Sequence, residues 1–225
     1  MPKEPVRSPR EPSDPLKRVF DLAVSSASLL LLSPLLCAIG LMVASTSDGG
    51  AFFRQVRIGR CGQPFRIVKF RTMTVASGAE KGSFEPGSTA RVTAVGRVLR
   101  ATKLDELPQL WNVLRGDMSL VGPRPEVPRW TQVHRERWAV VLRVRPGITD
   151  PASLEFRDEE RILAAMPDPE AAYRDEILPR KLELAERYVR ERSCPRDLAI
   201  LARTALAIFR RSSPPDTLEA SGEPR

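Results

Sequence analysis

The sequence predicts an α+β fold, mostly helical, with an N-terminal membrane helix, a small polar domain after it and amphipathic helices suited to a membrane surface. Three observations carry this. Residues 22–47, LAVSSASLLLLSPLLCAIGLMVASTS, hold no charge. Residues 52–73, FFRQVRIGRCGQPFRIVKFRTM, alternate apolar and basic residues around Gly62-Gln63, the period-two signature of a short hairpin or two strands. From residue 158 onward, apolar residues recur at helical spacing among many charges.

The elements follow in order. Residues 1–15 are rich in proline and charge and are expected to be a disordered tail, as are residues 212–225. Between them lie a membrane segment, 16–48, and one domain, 49–211. A straight helix over 22–47 would reach roughly 39 Å, enough for a hydrocarbon core of about 30 Å. Pro34 lacks an N–H and its ring crowds the carbonyl of Leu30, while Ser33 can bond back to a carbonyl one turn earlier. Both features predict a helix kinked at Ser33-Pro34. Lys17 and Arg18 precede the segment and Arg54, Arg57 and Arg60 follow it, so the positive-inside rule assigns both flanks to the cytoplasm. The residues alone leave open a kinked crossing helix and a re-entrant one.

Residues 76–90 read as a flexible polar loop. The run VGRVLRATKLDELPQLWNVLRGD is helical, with Val95, Val98 and Leu99, then Leu107, Leu110, Trp111 and Leu114 on apolar faces. Pro108 predicts a second helix starting near Leu104 to Glu106. Residues 158–192 form two helices divided near Met166 to Pro169. The last helix, 195–211, sets Leu198, Leu201, Ala205, Ile208 and Phe209 opposite arginines, which suits a membrane surface or a core equally.

The 225 residues carry 36 Lys and Arg against 28 Asp and Glu, a net charge of +8 that favours an anionic partner. Cys37, Cys61 and Cys194 are odd in number and widely spaced, which fits neither a disulfide framework nor a zinc site and points to a reducing compartment. His134, the single histidine, reads as a surface residue. Chemistry therefore falls to carboxylates. Asp105 and Glu106 sit where a helix starts, with Arg100 before them, Arg124 in the rigid Gly122-Pro123-Arg124-Pro125 segment after them, and Lys69 and Arg71 in the alternating stretch. Two acids amid such cations would repel a nucleic-acid backbone; they suit a divalent cation that bridges protein to phosphate.

These stretches resemble the bacterial sugar transferases, the monotopic polyprenyl-phosphate phosphoglycosyl transferases. The resemblance rests on residues 17–36, 52–73, RVTAVGRVLRATKLDELPQLWNVLRGDMSLVGPRPE (91–126) and RPGIT (145–149), and it looks like the minimal form. It implies a re-entrant helix broken at Ser33-Pro34 and a small cytosolic catalytic domain on the inner membrane. It also implies transfer of a sugar-1-phosphate from a UDP-sugar to polyprenyl (undecaprenyl) phosphate, releasing UMP. Asp105 would be the nucleophile that forms an aspartyl phospho-sugar. Glu106, with Asp105, would hold Mg²⁺, and Arg100, Arg124 and Lys69 would bind phosphate. One departure is that RPGIT continues as Asp150-Pro151-Ala152-Ser153-Leu154-Glu155-Phe156 rather than with glycine and an aromatic or Leu-Ala-Gln run, which alters a segment expected beside the sugar. Two rival readings are a glycosyl transferase that releases UDP and a membrane-bound basic protein without chemistry.

Overall fold

The computed structural model describes residues 15–75 and 91–209. Pro15 apart, the expected tails and the polar loop at 76–90 lie outside the described residues.

Helix α1 runs from Pro15 to Thr46 as one uninterrupted helix, long and apolar enough to cross a membrane. Pro34 lies inside it, and the back-bond expected of Ser33 is present. Ser33 Oγ donates to the Leu30 carbonyl at 2.8 Å, the acceptor that Pro34 cannot serve. A serine hydroxyl supplies what the proline removed.

Both halves of α1 lie against the same body. Near its start, Lys17 pairs with Asp197, Arg18 donates to the Val113 and Leu114 carbonyls at 2.7 and 3.0 Å, and Asp21 Oδ1 accepts the Leu120 N–H at 3.2 Å. Phe20, Val24 and Leu29 pack with Leu110, Val121 and Tyr188. Beyond Pro34, Leu36, Ile39 and Val43 pack with Phe70 and Leu99. Leu30, Leu31, Leu41 and Met42 remain exposed.

Strands β1 (Phe52–Ile58) and β2 (Pro64–Phe70) form the expected antiparallel hairpin, with Gln55 opposite Ile67. Helix α2 (Ala94–Thr102) is capped by the Thr93 side chain, which accepts the Gly96 N–H at 2.9 Å. Gly96 passes so close to Thr72 that a Cβ there would lie 2.1 Å from the Thr72 carbonyl oxygen. Gly96→Ala should therefore destabilise the protein by about 2–3 kcal/mol, because the neighbour is backbone and has nowhere to go. An unchanged thermal midpoint in detergent would contradict this packing.

Lys103 ends α2 in the left-handed region at φ 58°, uncommon for a side-chain-bearing residue. The chain then makes one 3₁₀ turn, Leu104–Glu106, before α3 (Gln109–Arg115). The second helix thus starts after Pro108 rather than near Leu104, and the interruption resets the helical phase. Val98 and Trp111, expected on apolar faces, are exposed at 62% and 54%, while Val113 is fully buried.

A parallel pair follows: β3 (Ser119–Val121) beside β4 (Gly147–Thr149). Their backbones meet where Gly122 faces Gly147, and a Cβ on Gly147 would lie 2.1 Å from the Gly122 nitrogen. Helices α4 (Pro128–Thr131), α5 (Arg135–Val141), α6 (Pro151–Glu155), α7 (Glu159–Ala164) and α8 (Pro169–Ala172) lead through a π turn into α9 (Leu178–Glu191). The division expected near 166–169 falls between α7 and α8. Trp130, Trp138, Leu163, Tyr173, Leu178 and Leu182 form the largest apolar core. Helix α10 (Cys194–Phe209) packs on the body through one face, with Asp197 and Ile200 buried, and leaves Leu198, Leu206 and Ile208 exposed on the other. His134 is exposed, and the three cysteines are free thiols.

Candidate active site

A cavity of about 1760 Å³ opens between the hairpin, the turn at 104–106, the segment after β3, and α6, α7 and α10. It exceeds the roughly 300–1,000 Å³ of an ordinary small-molecule pocket. Lys69, Arg100, Lys103, Asp105, Glu106 and Arg124 all line it.

Each arrives from a different element. Lys69 comes from β2, facing in because the strand alternates. Asn112 of α3 stitches that strand in place: its side-chain oxygen accepts the Val68 N–H at 3.0 Å and its amide donates to the Arg66 carbonyl at 2.8 Å. Consequently Lys69 Nζ meets Glu106 Oε1 at 2.7 Å. The Arg124 guanidinium closes on the same carboxylate, with Nη1 3.2 Å from Oε2 and Nη2 on Oε1. Burial alone would raise the Glu106 pKa, but Arg124 and then Lys69 hold it well below the usual glutamate range. Burial pushes the Lys69 pKa down in spite of Glu106.

Asp105 has the opposite environment. It is 7% exposed, and its Oδ1 has no hydrogen-bond partner. Burial pushes its carboxyl pKa up, against the pull of Lys69 and with some help from Glu106. Two adjacent carboxylates are thereby driven apart in character, one neutralised by cations and the other with an unengaged oxygen. Environments that separate a titratable pair in this way mark sites of chemistry.

Arg100 stands apart from the dyad. Its Nε donates to Thr72 Oγ1 at 2.9 Å, and its Nη1 meets both oxygens of Glu160 in α7 at 2.9 and 2.8 Å. Arg71, expected to add charge to the site, also lines the cavity, with its guanidinium donating to the Gly50 and Phe52 carbonyls at 3.3 and 3.0 Å. Sequence reading missed Thr72, Asn112, Lys103 and Glu160. Of these, Asn112 left a trace, as a lone polar residue between the apolar Trp111 and Val113.

Comparison with known proteins decides the family. The profile described as "Bacterial sugar transferase" matches residues 12–211. The chain belongs to the bacterial sugar transferase family. This sugar transferase is 37% identical over 198 residues to the UDP-glucose:undecaprenyl-phosphate glucose-1-phosphate transferase of Escherichia coli strain K12, covering 86% of the chain and 40% of the relative. It is 44% identical over 154 residues to the Klebsiella pneumoniae protein of the same name, covering 67% and 33%. It is also 42% identical over 137 residues to the UDP-N-acetylgalactosamine-undecaprenyl-phosphate N-acetylgalactosaminephosphotransferase of Aeromonas hydrophila, covering 60% and 32%. The chain thus spans about a third to two fifths of the length of these relatives.

Proposed function

We propose that this sugar transferase moves a sugar-1-phosphate from a UDP-sugar to undecaprenyl phosphate, the opening step of exopolysaccharide or glycoconjugate assembly. The observation that carries the mechanism is the unpartnered Oδ1 of buried Asp105, beside a cation pair already neutralising Glu106. Asp105 attacks the sugar-bearing phosphorus. An oxygen–phosphorus bond forms, the diphosphate bridge breaks, and UMP leaves with the electron pair. The acceptor phosphate then attacks the same phosphorus, freeing the carboxylate and yielding the polyprenyl diphosphate sugar. Dividing the exchange in two lets one nucleophile serve a soluble donor and a lipid acceptor in turn, and the size of the cavity suits two substrates. Lys69, Arg124 and Arg100 offset the diphosphate charge that would otherwise repel Asp105.

A magnesium ion takes one or two carboxylates and otherwise water or substrate oxygens; Glu106, with Asp105, would hold it, at the cost of loosening the contacts of Glu106 with Lys69 and Arg124. It would supply further neutralisation of the diphosphate. The chain's own part is to hold Glu106 charged and to bury Asp105 with one oxygen unengaged beside it.

Membrane attachment has separate support. The exposed face of α1, with Leu30, Leu31, Leu41 and Met42, is too large an apolar surface for water. Trp111 and Val98 are exposed on the domain beside it. Because both halves of α1 pack on one domain, we read the helix as re-entrant, with the cavity on the cytoplasmic face of the inner membrane.

The deciding experiment is nucleotide release in detergent with undecaprenyl phosphate, Mg²⁺ and a panel of UDP-sugars, with and without EDTA. UMP lost on chelation is expected. UDP as product would mean plain glycosyl transfer, and silence across the panel would favour an anion-binding protein. A pH profile adds a check. Asp105 acts ionised and burial raises its pKa, so the rate should rise with pH through a midpoint above the ordinary aspartate value of 3.8. Among the groups facing Asp105, Lys69 is the one that most lowers its pKa, ahead of Lys103 and Arg100, while Glu106 raises it. Lys69→Met should therefore move the acid limb further up. A downward move would contradict the assignment.

A further inference from the structure

The turn that carries Arg124 is held by a carboxylate that the chemistry above does not use. Across Pro123-Arg124-Pro125 only Arg124 has a backbone N–H, because proline has none. That donor goes to Asp150 Oδ2 at 3.1 Å. The other oxygen, Oδ1, caps α6, accepting the Ser153 N–H at 2.7 Å and the Ser153 hydroxyl at 2.5 Å. Asp150 is 1% exposed, and both its oxygens are therefore committed inside the protein. The backbone holds the same turn on both sides: the Gly122 N–H donates to the Thr149 carbonyl at 3.1 Å and the Gly147 N–H to the Pro123 carbonyl at 3.0 Å. Arg57 adds a hydrogen bond to the Pro125 carbonyl at 3.2 Å.

One carboxylate thus joins two walls of the cavity. On one side is the main chain of Arg124, whose guanidinium meets Glu106; on the other is α6, which contributes Ala152, Ser153 and Leu154. Without Asp150, the Arg124 N–H would lose its acceptor, and the remaining bonds hold the turn through Gly122, Pro123 and Pro125 but not at Arg124 itself. A shift of about 1 Å in a charge-stabilising group is enough to lower catalysis markedly.

We propose that Asp150 is a positioning residue for Arg124: by accepting its N–H while capping α6, it fixes where the guanidinium stands relative to the dyad and to the altered segment 150–156. This rests on the phosphoglycosyl transferase reading of the site.

The test is a double-mutant cycle with Asp150→Ser and Arg124→Ala. Serine keeps an oxygen able to cap α6 but is shorter and has one oxygen where two were used. Asp150→Ser should lose about tenfold in kcat, with the donor KM within about threefold and the melting temperature near that of the parent. In the Arg124→Ala background the same change should cost less than about twofold, because its effect runs through Arg124. Multiplying losses, or a single variant within about twofold of the parent, would overturn the proposal. If Asp150→Ser fails to fold, Asp150→Asn is read in the same cycle. Affinity by calorimetry, for a UDP-sugar of the panel that the parent binds, separates positioning from loss of the site: Asp150→Ser within about threefold of the parent supports the proposal, and a loss as large as that of Arg124→Ala refutes it. A parent that binds UDP-sugars but releases UMP from none of the panel would sink the reaction class alone.

Discussion

Asp105→Asn is expected to abolish UMP release, by on the order of 10⁴-fold or more, as removal of a nucleophile does elsewhere. The substitution is nearly isosteric, so the fold should hold, and it should hold slightly better. Burial raises the Asp105 pKa, so the native state binds its proton more tightly than the unfolded chain. Stability conferred by that proton is present at low pH and is lost as pH rises through the native value. At neutral pH the parent bears the cost of a buried charge that asparagine does not. Two measurements check this together. Intact mass after incubation with donor alone should show a phospho-sugar adduct on the parent and none on the variant, and the variant's melting temperature at neutral pH should equal or exceed the parent's. Turnover within about tenfold of the parent would remove Asp105 as the nucleophile.

Glu106→Gln should cost both stability and activity. Lys69 and Arg124 converge on this carboxylate, which is 12% exposed at its side chain. A neutral amide would leave two largely buried cations without their counter-charge, a loss of about 3 kcal/mol or more for a broken buried pair. The pH dependence follows from the opposite sign. Because the folded Glu106 pKa lies well below its unfolded value, its stabilising contribution is complete above the ordinary glutamate value and is lost as pH falls through the lowered one. The difference in melting temperature between parent and variant should accordingly be full at neutral pH and close in strong acid. Activity should fall by about 100-fold, with a flatter response to Mg²⁺. A variant as stable as the parent at neutral pH would show the ion-pair cluster to be energetically idle.

That Asp105 and Glu106 stand among cations was legible in the sequence because that signal is local, whereas their roles came from the family resemblance. Asp105 and Glu106 are adjacent, and Lys69 and Arg124 lie in segments whose alternation or proline content announces them. The hairpin was legible for the same reason. What escaped depends on partners far away in the chain. Arg100 is engaged by Glu160, sixty residues on, and Asp150 holds Arg124 from twenty-six residues away; no periodicity predicts either. The faces of Val98 and Trp111 are apolar as expected, but their exposure depends on what the domain packs against, which no helical period reveals. At Pro34 the local chemistry was legible, since the Ser33 hydroxyl takes the Leu30 carbonyl that the proline leaves without a donor.

The two acidic partners of the site's arginines differ in permanence. Glu106 is enclosed, and its ion pairs belong to the folded state. Glu160, at 62% side-chain exposure, grips Arg100 in contact with solvent, where such a pair is worth about 1 kcal/mol or less. On the proposed reaction, a substrate phosphate would take that fork from Glu160 at little cost and Glu160 would take it back afterwards, so Arg100 would exchange one acidic partner for another rather than stand bare.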